Sequence, residues 1–300
     1  MPNISLIIST YNRDKFIYEC LKCIAISGES SVSYEIVLVN NNSTDSTESE
    51  CERFAADFPQ VPFKYFIETQ QGLSFARNRG INEAKGDVLV FLDDDAMVCQ
   101  NYLALLQKCL NEYADTVAFG GKIKPRFENG VTPKWLSKWT YSLVSAIDMG
   151  DKVRLFRGNK YPIGANMGFR RATLESAGAF NTELGRAGKN LMAGEEKDIF
   201  NRIKVAGGNI YYFPEIEVEH VIPPNRTTYS FIAKMGIGIG KSERVRAGVS
   251  GRINRLILEC VKWAASIILF VGYTLLLQPA KGYVLILLRY NVTKGLLGRP

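Results

Sequence analysis

Through the first hundred residues, short apolar runs alternate with longer segments whose apolar positions recur at helical spacing. The runs ISLIIS (4–9), YEIVLVN (34–40), FKYFIE (63–68) and DVLVFL (87–92) read as strands. Between them, Phe16, Ile17, Cys20, Leu21 and Ile24 mark a helix over 13–26. A polar helix follows over 43–58, with Ser43 or Thr44 as its cap, and a third runs over 72–84 and is closed by Gly86. This strand–helix alternation predicts an α/β protein: a mainly parallel sheet flanked by helices. After residue 96 the pattern becomes mixed. NYLALLQKCLNEYA (101–114) is an amphipathic helix, VAFGGKI (117–123) a strand, and 124–160 irregular, with Trp135 and Trp139 four apart on a short helix. GANMGFRR (164–171) is strand-like and GEEKDIFNRIKVAGG (194–208) helical. NIYYFP (209–214) and EIEVEHV (215–221) read as two short strands, the second holding His220, the only histidine.

In open parallel sheets, ligands bind beyond the carboxyl ends of the strands. Three such ends are chemically loaded. The first strand runs into STYNR (9–13), the second into NNNSTD (40–45), and the fourth into Asp93, Asp94 and Asp95. Three adjacent carboxylates repel one another. In an extended chain Asp93 and Asp95 share a face and Asp94 takes the other. Converging carboxylates are hard ligands, and a divalent ion such as Mg²⁺ or Mn²⁺ would offset their repulsion and bridge to phosphate. A solvated acidic turn, or a set of caps for the next helix, is the alternative from local sequence alone. No G-x-G-x-x-G follows the first strand, which argues against a nicotinamide or flavin enzyme. MGIGIGKS (235–242) imitates a phosphate-binding loop, but Met235 stands where the first glycine is required.

Composition refines the picture at two points. The six cysteines are scattered, and Cys20-x-x-Cys23 has no second pair to complete a zinc site, so reduced thiols in a cytosolic compartment are expected. A strand pattern begins at Ile4 with no basic segment before it, so no signal peptide is expected. The net charge of +7 is uneven: residues 234–300 hold eleven Lys and Arg against Glu243 and Glu259 alone. These basic residues flank the apolar run AASIILFVGYTLLL (264–277), and YVLILL (283–288) follows. Fourteen apolar residues fall short of the ~20 that cross a bilayer. A segment lying on an anionic membrane surface is favoured, with a span or a buried helix as alternatives. A nucleic-acid partner is not expected.

STYNR, VNNNSTD, GLSFARNRG, FLDDDAM and GEEKD occur in an order and spacing that resembles glycosyltransferase family 2, over residues 3 to about 245. The resemblance implies a GT-A fold, with a Rossmann-like, mainly parallel sheet; the C-terminal helical, membrane-associated tail is expected from its charge and apolar runs alone, since it matches no family motif. Residues 1–98 would form the nucleotide-sugar-binding half, 99–229 the acceptor-binding and catalytic half, and 230–300 the basic, apolar tail. The resemblance implies an inverting, metal-dependent transferase (Mn or Mg) that takes a sugar from a nucleotide diphosphate-sugar, with UDP expected, to a hydroxyl of a glycan; the basic tail points to the cytoplasmic face of the membrane and a lipid-linked acceptor. By position, Thr10, Tyr11, Arg13, Asn40, Arg77, Asp93, Asp94 and Asn166 fall in the donor site, Asp95 and His220 hold the metal, and Glu196 is the catalytic base. Two residues depart from the family pattern. Asn40 stands where Asp usually accepts the base N–H, and Glu196 stands where Asp is commoner as the base. Trp135 and Trp139 could stack on an acceptor sugar or pack in the core. A catalytically weak nucleotide-sugar or glycan binding protein, and a sugar nucleotidyltransferase, are the alternatives.

Overall fold

The structure, a computed structural model, describes residues 3–27, 32–186, 193–248 and 251–298. Four apolar runs become β1 (Ile4–Thr10), β2 (Tyr34–Asn40), β3 (Phe63–Ile67) and β4 (Val88–Asp93). The intervening periodic segments become α1 (Asp14–Ser27), α2 (Thr47–Asp57) and α3 (Leu73–Glu83). The chain continues through β5 (Ala96–Val98), α4 (Tyr102–Glu112), β6 (Thr116–Phe127), β7 (Arg154–Leu155), β8 (Met167–Arg170), α5 (Arg171–Ala177), α6 (Glu195–Val205) and β9 (Asn209–Ile222). Three helices close it: α7 (Tyr229–Ala247), α8 (Arg252–Leu275) and α9 (Pro279–Leu297).

The strands form one mixed sheet in the order β3-β2-β1-β4-β8-β6-β9-β5, with β7 also on β9. The first four pair in parallel, with Ile8 opposite Leu38 and Leu92. β8 pairs antiparallel with β4 and β6, and β9 antiparallel with β5 and β7. Alternation along β1 divides the core between the two faces. Leu6 and Ile8 pack with α1 and α4, whereas Ile7 packs with Ala76 of α3 and Ile199 and Phe200 of α6.

Contacts divide the chain into two compact units: residues 1–125, 145–182 and 195–221, and residues 126–144, 183–194 and 222–300. In the second unit α9 lies between α7 and α8. The glycines of the phosphate-loop lookalike explain themselves here. A methyl on Gly240 would overlap the Val292 carbonyl, and one on Gly295 the Ile237 carbonyl, so α7 and α9 touch backbone to backbone. Glu259, buried on α8, pairs with Arg289 of α9 at 2.9 Å and with Lys262 at 3.5 Å.

Three local expectations need correction. NIYYFP and EIEVEHV form one continuous strand, β9, and not two. Pro214 lies between the β7 partners at Tyr211–Tyr212 and the β5 partners at Val218–His220, so its missing N–H breaks neither ladder. Trp135 and Trp139 lie in turns, where Ser137 N–H donates to Thr140 Oγ1 at 2.8 Å and replaces the expected helix. Trp135 is buried and its indole donates to the Thr227 carbonyl at 2.8 Å, whereas Trp139 is exposed. Third, Asp94 and Asp95 sit in a turn, because β4 stops at Asp93.

Candidate active site

The site forms where β1, β2 and β4 end. The loop after β1 is stitched to the loop after β2: Asn12 N–H donates to Ser43 Oγ (2.9 Å), Thr44 N–H to Asn12 Oδ1 (2.8 Å) and Arg13 N–H to Thr47 Oγ1 (3.0 Å). Asn12 adopts a left-handed backbone, φ 53°, a conformation that asparagine tolerates better than most residues. Thr10 is buried, Tyr11 exposed, and Thr10 lies opposite Asn40 in the ladder. Asn40 Oδ1 accepts from Ser43 N–H at 2.9 Å, while its amide donates to the Tyr65 hydroxyl at 2.7 Å. Beside it, buried Asn41 donates to the Glu68 and Gln70 carbonyls and accepts from Gly72 N–H, tying β2 to the start of α3.

The aspartate turn is held from below. Buried Cys20 on α1 donates to the Asp93 carbonyl at 3.6 Å and the Ala96 carbonyl at 3.4 Å, bracketing the turn. Burial pushes its thiol well above the usual range. The C-x-x-C is thus a helix face under the turn, and neither of its cysteines is in a disulfide.

Strand alternation was the wrong route to a grouping that the turn nevertheless produces. β5 pairs with β9 so that Ala96 lies opposite His220, which brings the imidazole back to the aspartates. His220 Nε2 lies 2.8 Å from Asp95 Oδ1 and 3.9 Å from Asp93 Oδ2. One ligand atom from each of Asp93, Asp95 and His220 falls within 4.8 Å of the others. A six-coordinate divalent ion with ligands at about 2.1–2.2 Å spaces neighbouring ligand atoms at roughly 3 Å and opposed ones at roughly 4 Å. Two carboxylates and an imidazole at these distances therefore suit Mn²⁺ or Mg²⁺. Asp94 turns elsewhere, to Arg13 Nε at 3.4 Å, while Arg13 also reaches Asp95 at 3.4 Å. Burial pushes the Asp94 carboxyl up to about 7, against the pull of Arg13 and with the push of Asp95 and Asp93.

Arg77, on α3, joins this turn to α6. Its guanidinium is only 3% exposed and lies 2.9 Å from Glu195 Oε1, 3.5 Å from Glu196 Oε1 and 3.7 Å from Asp93 Oδ1. Burial disfavours its charge, but Glu196, Glu195 and Asp93 outweigh that and raise its pKa further. Glu195 and Glu196 stand in the first turn of α6, where the helix dipole favours carboxylates. Gly164 N–H donates to Glu196 Oε1 at 3.1 Å. A methyl group on Gly164 would overlap both the Arg77 guanidinium and the Glu196 carboxylate, so only glycine lets the chain approach this closely.

The Glycosyl transferase family 2 model matches residues 5–178, more than half of the chain. The chain belongs to glycosyltransferase family 2. It is 24% identical over 250 residues to a glucosyl-dolichyl phosphate glucuronosyltransferase of Haloferax volcanii, covering 81% of this chain and 76% of the relative. It is 27% identical over 251 residues to the succinoglycan biosynthesis protein ExoM of Rhizobium meliloti, covering 81% and 75%. A mannosyltransferase of Pyrobaculum calidifontis, solved with GDP-mannose and Mn²⁺, shares the fold at a TM-score of 0.65 and 19% identity, over 100% of this chain and 88% of that one. The protein is therefore a glycosyltransferase with a GT-A-like sheet.

Of the residues expected from sequence, the structure gathers Arg13, Arg77, Asp93, Asp94, Asp95, Glu196 and His220 into one connected set of charges. Thr10 and Asn40 stand at the neighbouring strand ends, with Tyr11 beside them. Asn166 is different: it is fully buried, accepts from the Tyr102 hydroxyl at 2.6 Å and donates to the Ile216 carbonyl at 2.7 Å, so its amide is committed to the fold of this transferase. Sequence reasoning passed over Glu195, Asn41 and Gly164. Glu195 was visible in GEEKD but was indistinguishable from an ordinary helix-start acid. Gly164 gave no signal at all.

Proposed function

We propose that this transferase moves a sugar, with inversion, from a UDP-sugar to a hydroxyl of a glycan or lipid-linked saccharide at the cytoplasmic face of a membrane. The convergence of Asp93, Asp95 and His220 beside Arg77 and Glu196 is the observation that carries the reading. In this scheme residues 1–98 bind the nucleotide, 99–229 complete the acceptor and catalytic half, and 230–300 attach to the membrane. Tyr11 offers its exposed ring to the base. An amide oxygen has two acceptor positions, and on Asn40 one is used by Ser43 N–H, which leaves the other for the uracil N–H. Asp93, Asp95 and His220 would hold a divalent ion, which would supply positive charge to the diphosphate leaving group.

Arg77 neutralises the developing charge on the diphosphate and, with Gly164 N–H, holds Glu196 in place. Glu196 accepts the acceptor hydroxyl proton as that oxygen attacks the anomeric carbon and the carbon–phosphate oxygen bond breaks. One displacement at one carbon inverts its configuration. The Haloferax volcanii relative is named for a lipid-linked saccharide, which supports the acceptor class. Glu196→Gln tests the assignment: transfer should fall about 10²–10⁴-fold, while UDP with Mn²⁺ still raises the Tm. Full transfer by this variant would remove Glu196 from the base role.

A further inference from the structure

The outer face of α8 has no part in the transferase site. Ile257, Val261, Ile268, Val271 and Leu275 line it and are each between 51% and 79% exposed. The opposite face is engaged: Glu259 pairs with Arg289, and the Trp263 indole donates to Thr293 Oγ1 at 3.0 Å, both on α9. α9 is in turn locked onto α7 by the Gly240 and Gly295 backbone contacts. The layers therefore run α7, α9, α8, with the apolar face outermost.

By length and composition alone α8 could cross a bilayer, since it has 24 residues and a mean hydropathy of 1.7 over its most apolar window. We infer instead that α8 lies along the surface of an anionic bilayer, its outer face set into the boundary between headgroups and acyl chains. The inference rests on the proposed membrane attachment of the tail and fixes its form. A spanning α8 would carry α9 to the same depth, and with it the Glu259–Arg289 pair. It would also draw in α7, which carries Lys234, Lys241, Arg244 and Arg246. Charges in hydrocarbon are costly, and a flat α8 leaves all of these on the water side. The charge balance agrees. Residues 234–300 hold eleven Lys and Arg against two acids, and Lys262, half-exposed on α8, borders the apolar face. Anionic headgroups are the matching partner. The face also continues past the helix end, where Leu276 and Leu277 are 67% and 90% exposed, and Lys281 follows in the first turn of α9.

Depth measurement on the full chain tests this. Spin labels are placed singly at Ile257, Ile268 and Leu275 in a Cys260→Ser background and bound to vesicles of phosphatidylcholine with one-quarter phosphatidylglycerol. Collision with oxygen and with a water-soluble nickel chelate then reports the depth of each label. The outermost labels lie roughly 27 Å apart along the helix. Equal, shallow depths at all three are expected. A profile that is deep at Ile268 and shallow at both ends would mean a span and would overturn the inference. A second arm uses Ile268→Glu with Val271→Glu, exposed positions where folding is unaffected. Vesicle binding should fall at least about tenfold, and should be weaker for the parent on pure phosphatidylcholine. Undiminished binding overturns the inference, as does a vesicle-free dimer that this double variant dissociates. Transfer to a water-soluble acceptor is measured in parallel. Lost vesicle binding with transfer intact separates the membrane seat from the chemistry. Retained binding without transfer supports the seat and removes the transferase mechanism.

Discussion

Two buried carboxylate clusters in this chain look alike on paper and behave differently in the structure. At the sheet ends, Asp93, Asp95 and His220 aim ligand atoms into one small volume. In the helical unit, Glu259 turns both oxygens onto Arg289 and one also onto Lys262. The first cluster, on two strands and a turn, brings two carboxylates and an imidazole within ligand distance of one another, with Arg13 and Arg77 only at its edges. The second is locally matched and joins two helices. Burial of acid therefore does not mark a functional site by itself; convergence of ligand atoms does.

Asp95→Ala should break the first cluster most severely. It removes the ligand closest to His220, and transfer should fall about 10³-fold together with loss of Mn²⁺-dependent stabilisation by UDP. Retained metal response in that variant would mean that the ion is held elsewhere. On the other side, Glu259→Gln leaves partly buried Arg289 without its charge partner and should cost about 1–2 kcal/mol in urea unfolding. Transfer to a soluble acceptor, per folded molecule, should be unchanged. A large loss of transfer at unchanged stability would erase the distinction between the clusters. Gly164→Ala sharpens the comparison by displacing Arg77 and Glu196 without touching a ligand. An order-of-magnitude fall in kcat is expected, with the metal response kept. The smallest change is Asp94→Ala. Asp94 pairs with Arg13 and not with His220, so a few-fold loss of transfer is expected. A loss as deep as that of Asp95→Ala would reverse the assignment of the two neighbours.

Much of this was legible in the residues. The parallel half of the sheet follows from four apolar runs separated by helical periodicity, because burial on both faces leaves little freedom in where such strands begin and end. The loaded strand ends follow from their polarity. The antiparallel half was less legible, since β9 is one strand of fourteen residues whose proline reads as a break unless its partner strands are known. The pairing of Asp93 with Asp95 was argued from an extended backbone. The turn reached a similar grouping through the β5–β9 ladder, a tertiary fact invisible to local pattern. Asn166 and Gly164 show the limit from both directions. The family resemblance places Asn166 at the donor pocket, and in the structure its amide cross-links α4 to β9. A glycine in GAN suggests nothing, yet its absent side chain gives Arg77 and Glu196 room to meet.

The register of Ala96 against His220 has a consequence for the order in which the site comes into being. Side chains alternate along a strand, so a slip of one residue would turn the imidazole to the opposite face of the sheet. The third ligand also lies far downstream of the aspartates in the chain. A growing polypeptide thus carries both aspartates well before it owns an imidazole to close the set. If Asp93, Asp95 and His220 hold the metal as proposed, a chain whose last strand is missing or misaligned has no complete centre with which to spend activated sugar.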